Sequence, residues 1–352
     1  MGKLLVYTTQ HLETGGIESH LQEFCKNMAA AGAEIDLVVL NAAMLPETEA
    51  MYRKVCRKVY FGRHGRSYKR LAWLIKTGLQ VRINRYDALY TNGQGNSPGL
   101  FAKLVRSKNW VHHHHTAGDA ADQSSWSDDY AKTLKTANHV IACARRNAND
   151  MAAFLKRSID TIPCFSRKVE LGSHPVAATG EVNFGYFGRL IPEKGIDLIC
   201  RLSEEPELKD IRFNIWGEGP KYPSSYFDGF KNVYYHGTYT GKEGLTNAIA
   251  KLDAFLLLST HPEGLPISLL EVMSAGVPWM ATNRGGIADI ACDPVSTRLL
   301  PNVDNYDQVK QAITQLHHDI VAGKVSRETQ VELYEQNFSS AALVKQWSNK
   351  LF

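Results

Sequence analysis

The stretch AFLLLSTHPEGLPISLLEVMSAGVPWMATN, residues 254–283, contains a strand, a loop, a helix and a second strand in succession. The apolar run AFLLLS (254–259) is typical of a buried strand, residues 267–275 are typical of a helix, and VPWMATN (277–283) is again typical of a strand. A helix between two such strands is the repeating unit of a parallel sheet covered by helices. The stretch therefore predicts the α/β class.

The same alternation extends in both directions along the chain. Further strands are predicted at KLLVYTT (3–9), AEIDLVVLN (33–41), DALYTN (87–92), NWVHHHH (109–115), HVIACA (139–144), VNFGYFG (182–188), RFNIWG (212–217) and VYYHG (233–237), with helices at 17–31, 195–203, 241–251 and 306–321. The pattern restarts after a polar linker at 164–180. We therefore expect two Rossmann-like domains, residues 1–167 and 168–336, with an amphipathic segment 337–352 that packs back on the first.

Composition limits the class of protein. With 352 residues, 44% hydrophobic and 22% charged, the chain is typical of a globular protein, and about 150 residues per domain gives two domains. Its first residues are too short an apolar run for a signal peptide, and no stretch approaches about 18 apolar residues, so a cytoplasmic protein is expected. The six cysteines form no C-x-x-C pair, which favours buried free thiols and predicts no metal.

The charge is unevenly distributed. Residues 1–167 contain 23 Lys and Arg against 14 Asp and Glu, and the excess lies between Glu49 and Asp87, where eleven cations occur without an acidic residue. Residues 66–82 predict a helix with Leu71, Leu74, Ile75 and Leu79 on one apolar stripe. The segment 53–85 either packs on its own domain or contacts an anionic membrane surface or a phosphorylated, lipid-linked acceptor. Because the cations are not interleaved with stacking aromatics, nucleic acid is not an expected partner.

The loop and helix after strand 254–259 predict an anion site. Backbone N–H groups near Gly264, Leu265, Pro266 and Ile267 lie at a helix N-terminus, where the helix dipole favours an anion, and Pro266 suits the first helical turn. Glu263 in the loop and Glu271 inside the helix provide carboxylates for hydroxyl groups, one for a sugar ring and the other for a ribose diol.

Two cations lie at the next glycine turn. Arg189 follows Gly188 at a strand end, and Lys194 lies five residues on at the start of a helix. Two such cations can stabilise the charge on a departing diphosphate without a metal. The alternative is a surface Arg and Lys.

Two features of the first half of the chain limit which ligands it could bind. The Gly15-Gly16 turn precedes a helix, but no G-x-G-x-x-G occurs, so a nicotinamide dinucleotide site has little support. In the strand 109–115, His112 and His114 face one side and His113 and His115 the other, so the four cannot ligate one metal.

Taken together, these motifs resemble those of the retaining GT-B glycosyltransferases of family 4. The resemblance is carried by Glu263 and Glu271 in an E-x7-E pattern, by GRLIPEKG (188–195), and by three further glycine turns, Trp216-Gly217-Glu218-Gly219-Pro220, His236-Gly237 and Asn283-Arg284-Gly285-Gly286. Three departures are Pro163-Cys164-Phe165-Ser166-Arg167 at the domain junction, Ala144 in place of a serine, and Ala288-Asp289 after the last turn.

The resemblance implies two domains that face each other across a cleft, the second binding a nucleotide-sugar donor and the first a glycan or lipid-linked acceptor. It implies that Gly16 lies under the diphosphate, that His115 contacts the sugar near its 6-position, and that Gly188, Gly217, Glu218 and Gly237 line the donor site. A UDP-sugar is preferred and a GDP-sugar is an alternative. Catalytic roles are implied for Arg189, Lys194, Glu263 and His115, with no metal or other cofactor.

The reaction implied is transfer of a hexose with retention of anomeric configuration, in bacterial surface polysaccharide or glycoconjugate synthesis, by a protein in the cytoplasm or peripheral at the inner face of the membrane. Two alternatives stay open. One is a nucleotide-sugar-binding scaffold subunit without turnover, and the other is a GT-B sugar-nucleotide epimerase.

Overall fold

The structure is a computed structural model that describes residues 1–63, 65–171 and 181–352. Contacts divide these residues into two compact units, residues 1–165 with 340–352, and residues 166–339. Residues 172–180 of the expected linker lie outside the described residues. The α/β class and the two Rossmann-like units are confirmed.

The first unit is a seven-stranded parallel sheet in the order β3-β2-β1-β4-β5-β6-β7. Its strands are β1 (Lys3–Thr8), β2 (Glu34–Val39), β3 (Lys58–Phe61), β4 (Tyr86–Asn92), β5 (Ser107–His114), β6 (His139–Ala142) and β7 (Asp160–Thr161). Its helices are α1 (Gly16–Ala30), α2 (Pro46–Val55), α3 (Ser67–Val81), α4 (Ser97–Leu104), α5 (Ala120–Ser124), α6 (Asp128–Thr136), α7 (Arg145–Leu155) and α13 (Ser340–Leu351).

Apolar side chains on both faces of this sheet form its core. The central strand β1 is buried from Leu4 to Thr8, as expected of a parallel strand covered on both sides. Helix α13 places Leu343, Trp347 and Leu351 in the core that lies against α1, β4 and β5. The C-terminal segment therefore packs with the first unit.

The second unit is a six-stranded parallel sheet in the order β10-β9-β8-β11-β12-β13. Its strands are β8 (Val182–Phe187), β9 (Ile211–Trp216), β10 (Val233–Tyr235), β11 (Ala254–Leu257), β12 (Trp279–Thr282) and β13 (Thr297–Leu300). Its helices are α8 (Ile196–Leu202), α9 (Gly241–Ala250), α10 (Ile267–Ser274), α11 (Tyr306–Val321) and α12 (Arg327–Asn337). The chain leaves β8 toward β9 on one side and later returns to β11 on the other, which creates a crevice at their carboxyl ends.

The basic segment 53–85 contains cations that are paired within the first unit and a partly exposed helix, α3. Some of its cations are paired within the unit: Arg53 and Arg63 bind Glu49, and Arg57 makes two hydrogen bonds to the buried carboxylate of Asp36.

In helix α3 only one member of the expected apolar stripe is buried. Leu74 is 2% exposed, whereas Leu71, Ile75 and Leu79 are 47%, 39% and 52% exposed, because α3 packs through Leu74, Thr77, Gly78 and Val81. Within the described ranges, no helix is both long enough and apolar enough to cross a membrane.

Candidate functional site

The second unit brings two of the expected catalytic residues into direct contact. Lys194 Nζ lies 2.5 Å from Glu263 Oε1, and Ser259 Oγ donates a 2.6 Å hydrogen bond to the same oxygen. Glu263 is in the loop after β11, and Lys194 ends a short 3₁₀ turn, Pro192–Lys194, in the loop after β8. The side chains are only 9% and 15% exposed, so this is a largely buried ion pair at the crevice.

Gly195 makes this approach feasible. Its φ is 77°, and a Cβ there would lie 2.4 Å from the carbonyl oxygen of Leu258. A residue with a side chain would therefore clash with the end of β11 as well as adopt a left-handed conformation that L-residues disfavour. The glycine allows the turn that carries Lys194 to reach the Glu263 loop.

A second glycine turn, after β12, supports the same loop from the other side. The N–H of Gly286 donates to the carbonyl oxygen of Glu263 at 3.0 Å. Gly285 has a φ of 53°, and a Cβ there would lie 1.8 Å from that oxygen. The turn at 285–286 thus fixes the backbone of Glu263, a role that sequence reasoning did not assign to it.

Glu271, the other expected carboxylate, is held by a residue that sequence reasoning did not assign to the site. Arg167 Nε donates a 2.8 Å hydrogen bond to Glu271 Oε1, and the Glu271 side chain is 3% exposed. Burial opposes the charge of Arg167, but Glu271 and Tyr239 outweigh it and raise the pKa of the guanidinium. Because 104 residues separate Arg167 from Glu271, local sequence gave no sign of the contact.

Helix α10 contains Glu271, as expected, but Pro266 does not lie in its first turn. The helix begins at Ile267, and Pro266 precedes it in an extended conformation rather than lying in its first turn. Leu265 and Ile267 are buried, at 7% and 8% exposure, so their side chains anchor the loop. Their backbone, with that of Gly264, leads into the helix N-terminus that the anion-site prediction requires.

The remaining glycine turns of this unit are joined through their backbones. Gly217 N–H donates to Gly237 O at 2.8 Å, and Leu190 N–H donates to Glu218 O at 2.9 Å. A Cβ at Gly217 would lie 1.9 Å from Gly188 O. The turns after β8, β9 and β10 therefore pack closely, and the N–H of Gly217 is already in use. Arg189, next to Gly188, is an exposed residue.

Two expected site residues lie in the first unit. Gly16 is the first residue of α1, and His115 directly follows β5. The Nε2 of His115 is buried and has no hydrogen-bond partner among the described residues, while its Nδ1 lies 3.6 Å from Cys164 Sγ. Burial lowers the pKa of this imidazole.

The neighbouring histidines alternate across the sheet as expected. The Tyr130 hydroxyl lies 3.1 Å from His112 Nε2 and 2.8 Å from His114 Nδ1 on one face. On the other face, the ring of His113 lies 4.0 Å from that of His115. The four side chains therefore form two separate pairs.

Comparisons with known proteins agree with this architecture. The family description Glycosyl transferases group 1 matches residues 181–319, and Glycosyltransferase Family 4 matches residues 14–165. An uncharacterised glycosyltransferase of Methanocaldococcus jannaschii is 29% identical over 142 residues, 39% of this chain and 39% of that protein. The poly(ribitol-phosphate) alpha-N-acetylglucosaminyltransferase of Staphylococcus aureus is 23% identical over 283 residues, 76% of this chain and 56% of that protein.

Among solved structures, HepE of Anabaena in complex with UDP-glucose has the same fold. The TM-score is 0.79 at 16% identity, over 100% of this chain and 99% of that one. The chain matches about two fifths of the length of the Methanocaldococcus protein and just over half of the length of the Staphylococcus protein. The two family matches lie in the two units and follow the strands and turns described above. The second unit thus belongs to the group 1 glycosyltransferases and the first unit to glycosyltransferase family 4.

Proposed function

We propose that this chain is a glycosyltransferase that moves a hexose from a nucleoside diphosphate donor to a glycan or lipid-linked acceptor with retention of anomeric configuration. The observation that carries the proposal is the buried Lys194–Glu263 pair at the crevice between β8 and β11. A cation and a carboxylate held together there match a ligand that has both a diphosphate and a sugar.

The proposed chemistry uses charge and position. Lys194 and Arg189 stabilise the negative charge that grows on the departing diphosphate. Electrostatic stabilisation of developing charge is usually the largest single contribution to enzymatic rate enhancement. Glu263 accepts hydrogen bonds from the sugar hydroxyls, and Glu271 accepts them from the ribose. The acceptor oxygen attacks the anomeric carbon on the face that the phosphate leaves, and the leaving phosphate oxygen takes its proton.

We assign two roles in the first unit on the family resemblance. Gly16 lies under the diphosphate, where the N-terminus of α1 favours an anion. His115 contacts the sugar, and its buried Nε2 supports this role because it lacks a partner among the described residues.

For the donor, we propose a UDP-sugar first and a GDP-sugar second. The HepE structure was solved with UDP-glucose, which supports a uridine nucleotide in this fold. The transfer is proposed to need no divalent metal, because Lys194 and Arg189 supply the positive charge. Turnover that is unchanged by added Mg²⁺ or Mn²⁺ is the expected result, and strict dependence on either ion would contradict this part of the proposal.

Helix α3 supports a membrane as the place of action. Tyr68, Leu71, Ile75 and Leu79 form an exposed apolar stripe, and exposed Lys69 and Lys76 lie beside it. An apolar stripe with adjacent cations suits the surface of an anionic leaflet, where each cation contributes about 1 kcal/mol. We therefore propose that the protein acts in the cytoplasm at the inner face of a membrane, in the synthesis of a bacterial surface polysaccharide or glycoconjugate.

The direct test is product formation. The purified chain would be incubated with UDP-glucose, UDP-N-acetylglucosamine or GDP-mannose, with and without lipid-linked and free glycan acceptors, and the anomeric configuration of the product read by NMR. Acceptor-dependent product with the donor's configuration is expected. Free sugar released without acceptor would favour the epimerase, and binding of donor without any product would favour the scaffold.

A further inference from the structure

Four potential metal ligands meet in the first unit, and none of them belongs to the Lys194–Glu263 pair of the second unit. They are His113, His115, Cys143 and Cys164, whose ligand atoms all lie within 4.8 Å of one another. They come from the carboxyl ends of β5, β6 and β7, three neighbouring parallel strands. Sequence spacing did not reveal the group because its members, except for the two histidines, are 21 to 51 residues apart in the chain.

The distances between the ligand atoms suit a tetrahedral ion. Cys143 Sγ lies 3.4 Å from His113 Nε2, 3.8 Å from His115 Nδ1 and 3.3 Å from Cys164 Sγ, and Cys164 Sγ lies 3.6 Å from His115 Nδ1. With Zn–S near 2.3 Å and Zn–N near 2.0 to 2.1 Å, the edges of a Cys₂His₂ tetrahedron are about 3.3 to 3.8 Å long. Four of the six distances between ligand atoms fall in this range, and all six lie within 4.8 Å.

We propose that these four side chains bind one structural Zn²⁺ ion. Binding forms two Zn–S and two Zn–N bonds and releases the two thiol protons to solvent. Two thiolates balance the charge of the ion, so the group as a whole is neutral. Neutrality matters here because both sulfurs and the His113 imidazole are buried, and an unpaired charge in that place would be costly.

The surroundings of His113 support its role as a ligand. The Tyr90 hydroxyl lies 2.9 Å from His113 Nδ1, so a hydrogen bond at this nitrogen turns Nε2 toward Cys143. A partner of this kind on the second ring nitrogen is the usual companion of a metal-bound histidine. The same hydroxyl lies 3.1 Å from Nε2 of His20, whose Nδ1 accepts from the Phe165 N–H. The Tyr90 oxygen has two lone pairs and can accept from both imidazoles.

The ion would be structural rather than catalytic. Four protein ligands complete its tetrahedron and leave no position for water or substrate. It would join three strand ends and fix the imidazole of His115 through Nδ1. Nε2 of His115 stays available, so the contact with the donor sugar proposed above is compatible with the metal, although the metal site does not depend on it.

The test is the metal content of untagged protein that is expressed with zinc and purified with a reductant. We expect about one zinc ion per chain by elemental analysis, and a large loss of zinc in Cys143→Ser and in Cys164→Ser. Cys25→Ser is the matched control, because Cys25 is also a buried thiol of this unit, beside Cys56. It should keep its zinc. Zinc-free wild-type protein, or equal zinc in all three variants, would overturn the proposal.

A second measurement avoids dependence on the folding of the variants. Wild-type protein loaded with Co²⁺ should show the visible absorption of tetrahedral, thiolate-bound cobalt, and one equivalent of Zn²⁺ should remove it. The absence of that absorption would count against the site. So would a Cys143–Cys164 disulfide found by peptide mapping of freshly isolated protein, because the oxidised sulfurs could not bind the ion.

Discussion

Lys194 and Glu263 form an ion pair, 2.5 Å from Nζ to Oε1, between the loops that follow β8 and β11. Because both side chains are largely buried, each helps to compensate the charge of the other. A donor diphosphate would offer Lys194 a second anion, and the sugar hydroxyls would offer Glu263 hydrogen-bond donors. The pair thus keeps both groups in place before the donor binds.

Lys194→Met tests the catalytic role of the pair. It should lower kcat by about 10²-fold or more because the leaving phosphate loses a cation. It should also cost about 3 to 5 kcal/mol of stability, because the buried Glu263 carboxylate loses its ion pair with Lys194. Steady-state kinetics and chemical denaturation measure the two effects.

The control separates catalysis from folding. In the double variant Lys194→Met, Glu263→Gln the buried charge is gone, so stability should largely return while turnover stays low. Arg189→Met should lower kcat to a similar degree with little change in stability, since Arg189 is exposed. Turnover near that of the wild type in Lys194→Met or Arg189→Met would contradict the role assigned to that residue.

Arg167→Ala should weaken nucleotide binding. Without its guanidinium, Glu271 loses the 2.8 Å hydrogen bond that orients the carboxylate expected to bind the ribose. A loss of about tenfold in UDP affinity, or about 1.4 kcal/mol, is expected by calorimetry. Arg212, an exposed cation of the same unit that pairs with Glu181, provides the control Arg212→Ala. Equal UDP affinity in Arg167→Ala and the control would rule out this positioning role.

Gly285→Ala should disturb the Glu263 loop. The new Cβ would lie 1.8 Å from the Glu263 carbonyl oxygen, so the backbone must move. Gly241→Ala is the control, since Gly241 also has a positive φ, 65°, but open space around its Cβ. In the control, the free energy of unfolding should fall by only about 1 to 2 kcal/mol, which is the cost of a left-handed conformation for a residue with a side chain. Thermal unfolding and donor binding should both be affected more in Gly285→Ala, and similar losses in the two variants would be evidence against the close contact.

The exposed stripe of α3 should bind anionic vesicles. Sedimentation with phosphatidylglycerol vesicles should recover more protein than sedimentation with phosphatidylcholine vesicles. The double variant Leu71→Ser, Leu79→Ser should bind about tenfold less, given about 25 cal/mol per Å² of buried apolar surface. Val321→Ser removes an equally exposed apolar side chain from the second unit and should bind as the wild type does. If vesicle binding depends neither on lipid charge nor on the two leucines, this surface of α3 does not bind membranes.

Periodicity made most of the fold predictable. The strands around residues 3–9, 182–188 and 254–259 are long apolar runs, and each was found where the sequence placed it. The edge strands β3, β7 and β13 were missed, because β3 and β13 have only four residues including a basic one, and β7 has only two residues. Short edge strands bury little apolar surface and so leave a weak pattern.

The candidate site was predictable only in part, because some contacts join distant residues. Glu263 and Lys194 were recognised from local motifs, and the structure adds that they touch. The Arg167–Glu271 bond and the group of two cysteines and two histidines join residues far apart in the chain, so no spacing rule could find them. Parallel sheets bring the carboxyl ends of separate strands together, and this is a property of topology rather than of local sequence.

The proposed donor site can be tested by calorimetry of the wild type and of Glu271→Ala with UDP, GDP, ADP and their common sugar conjugates. We expect one nucleoside diphosphate, with UDP the first expectation, to bind the wild type selectively, and we expect Glu271→Ala to weaken this binding. If none of the nucleotides binds the folded wild type, or if the selected nucleotide binds Glu271→Ala equally well, the donor site proposed here is contradicted.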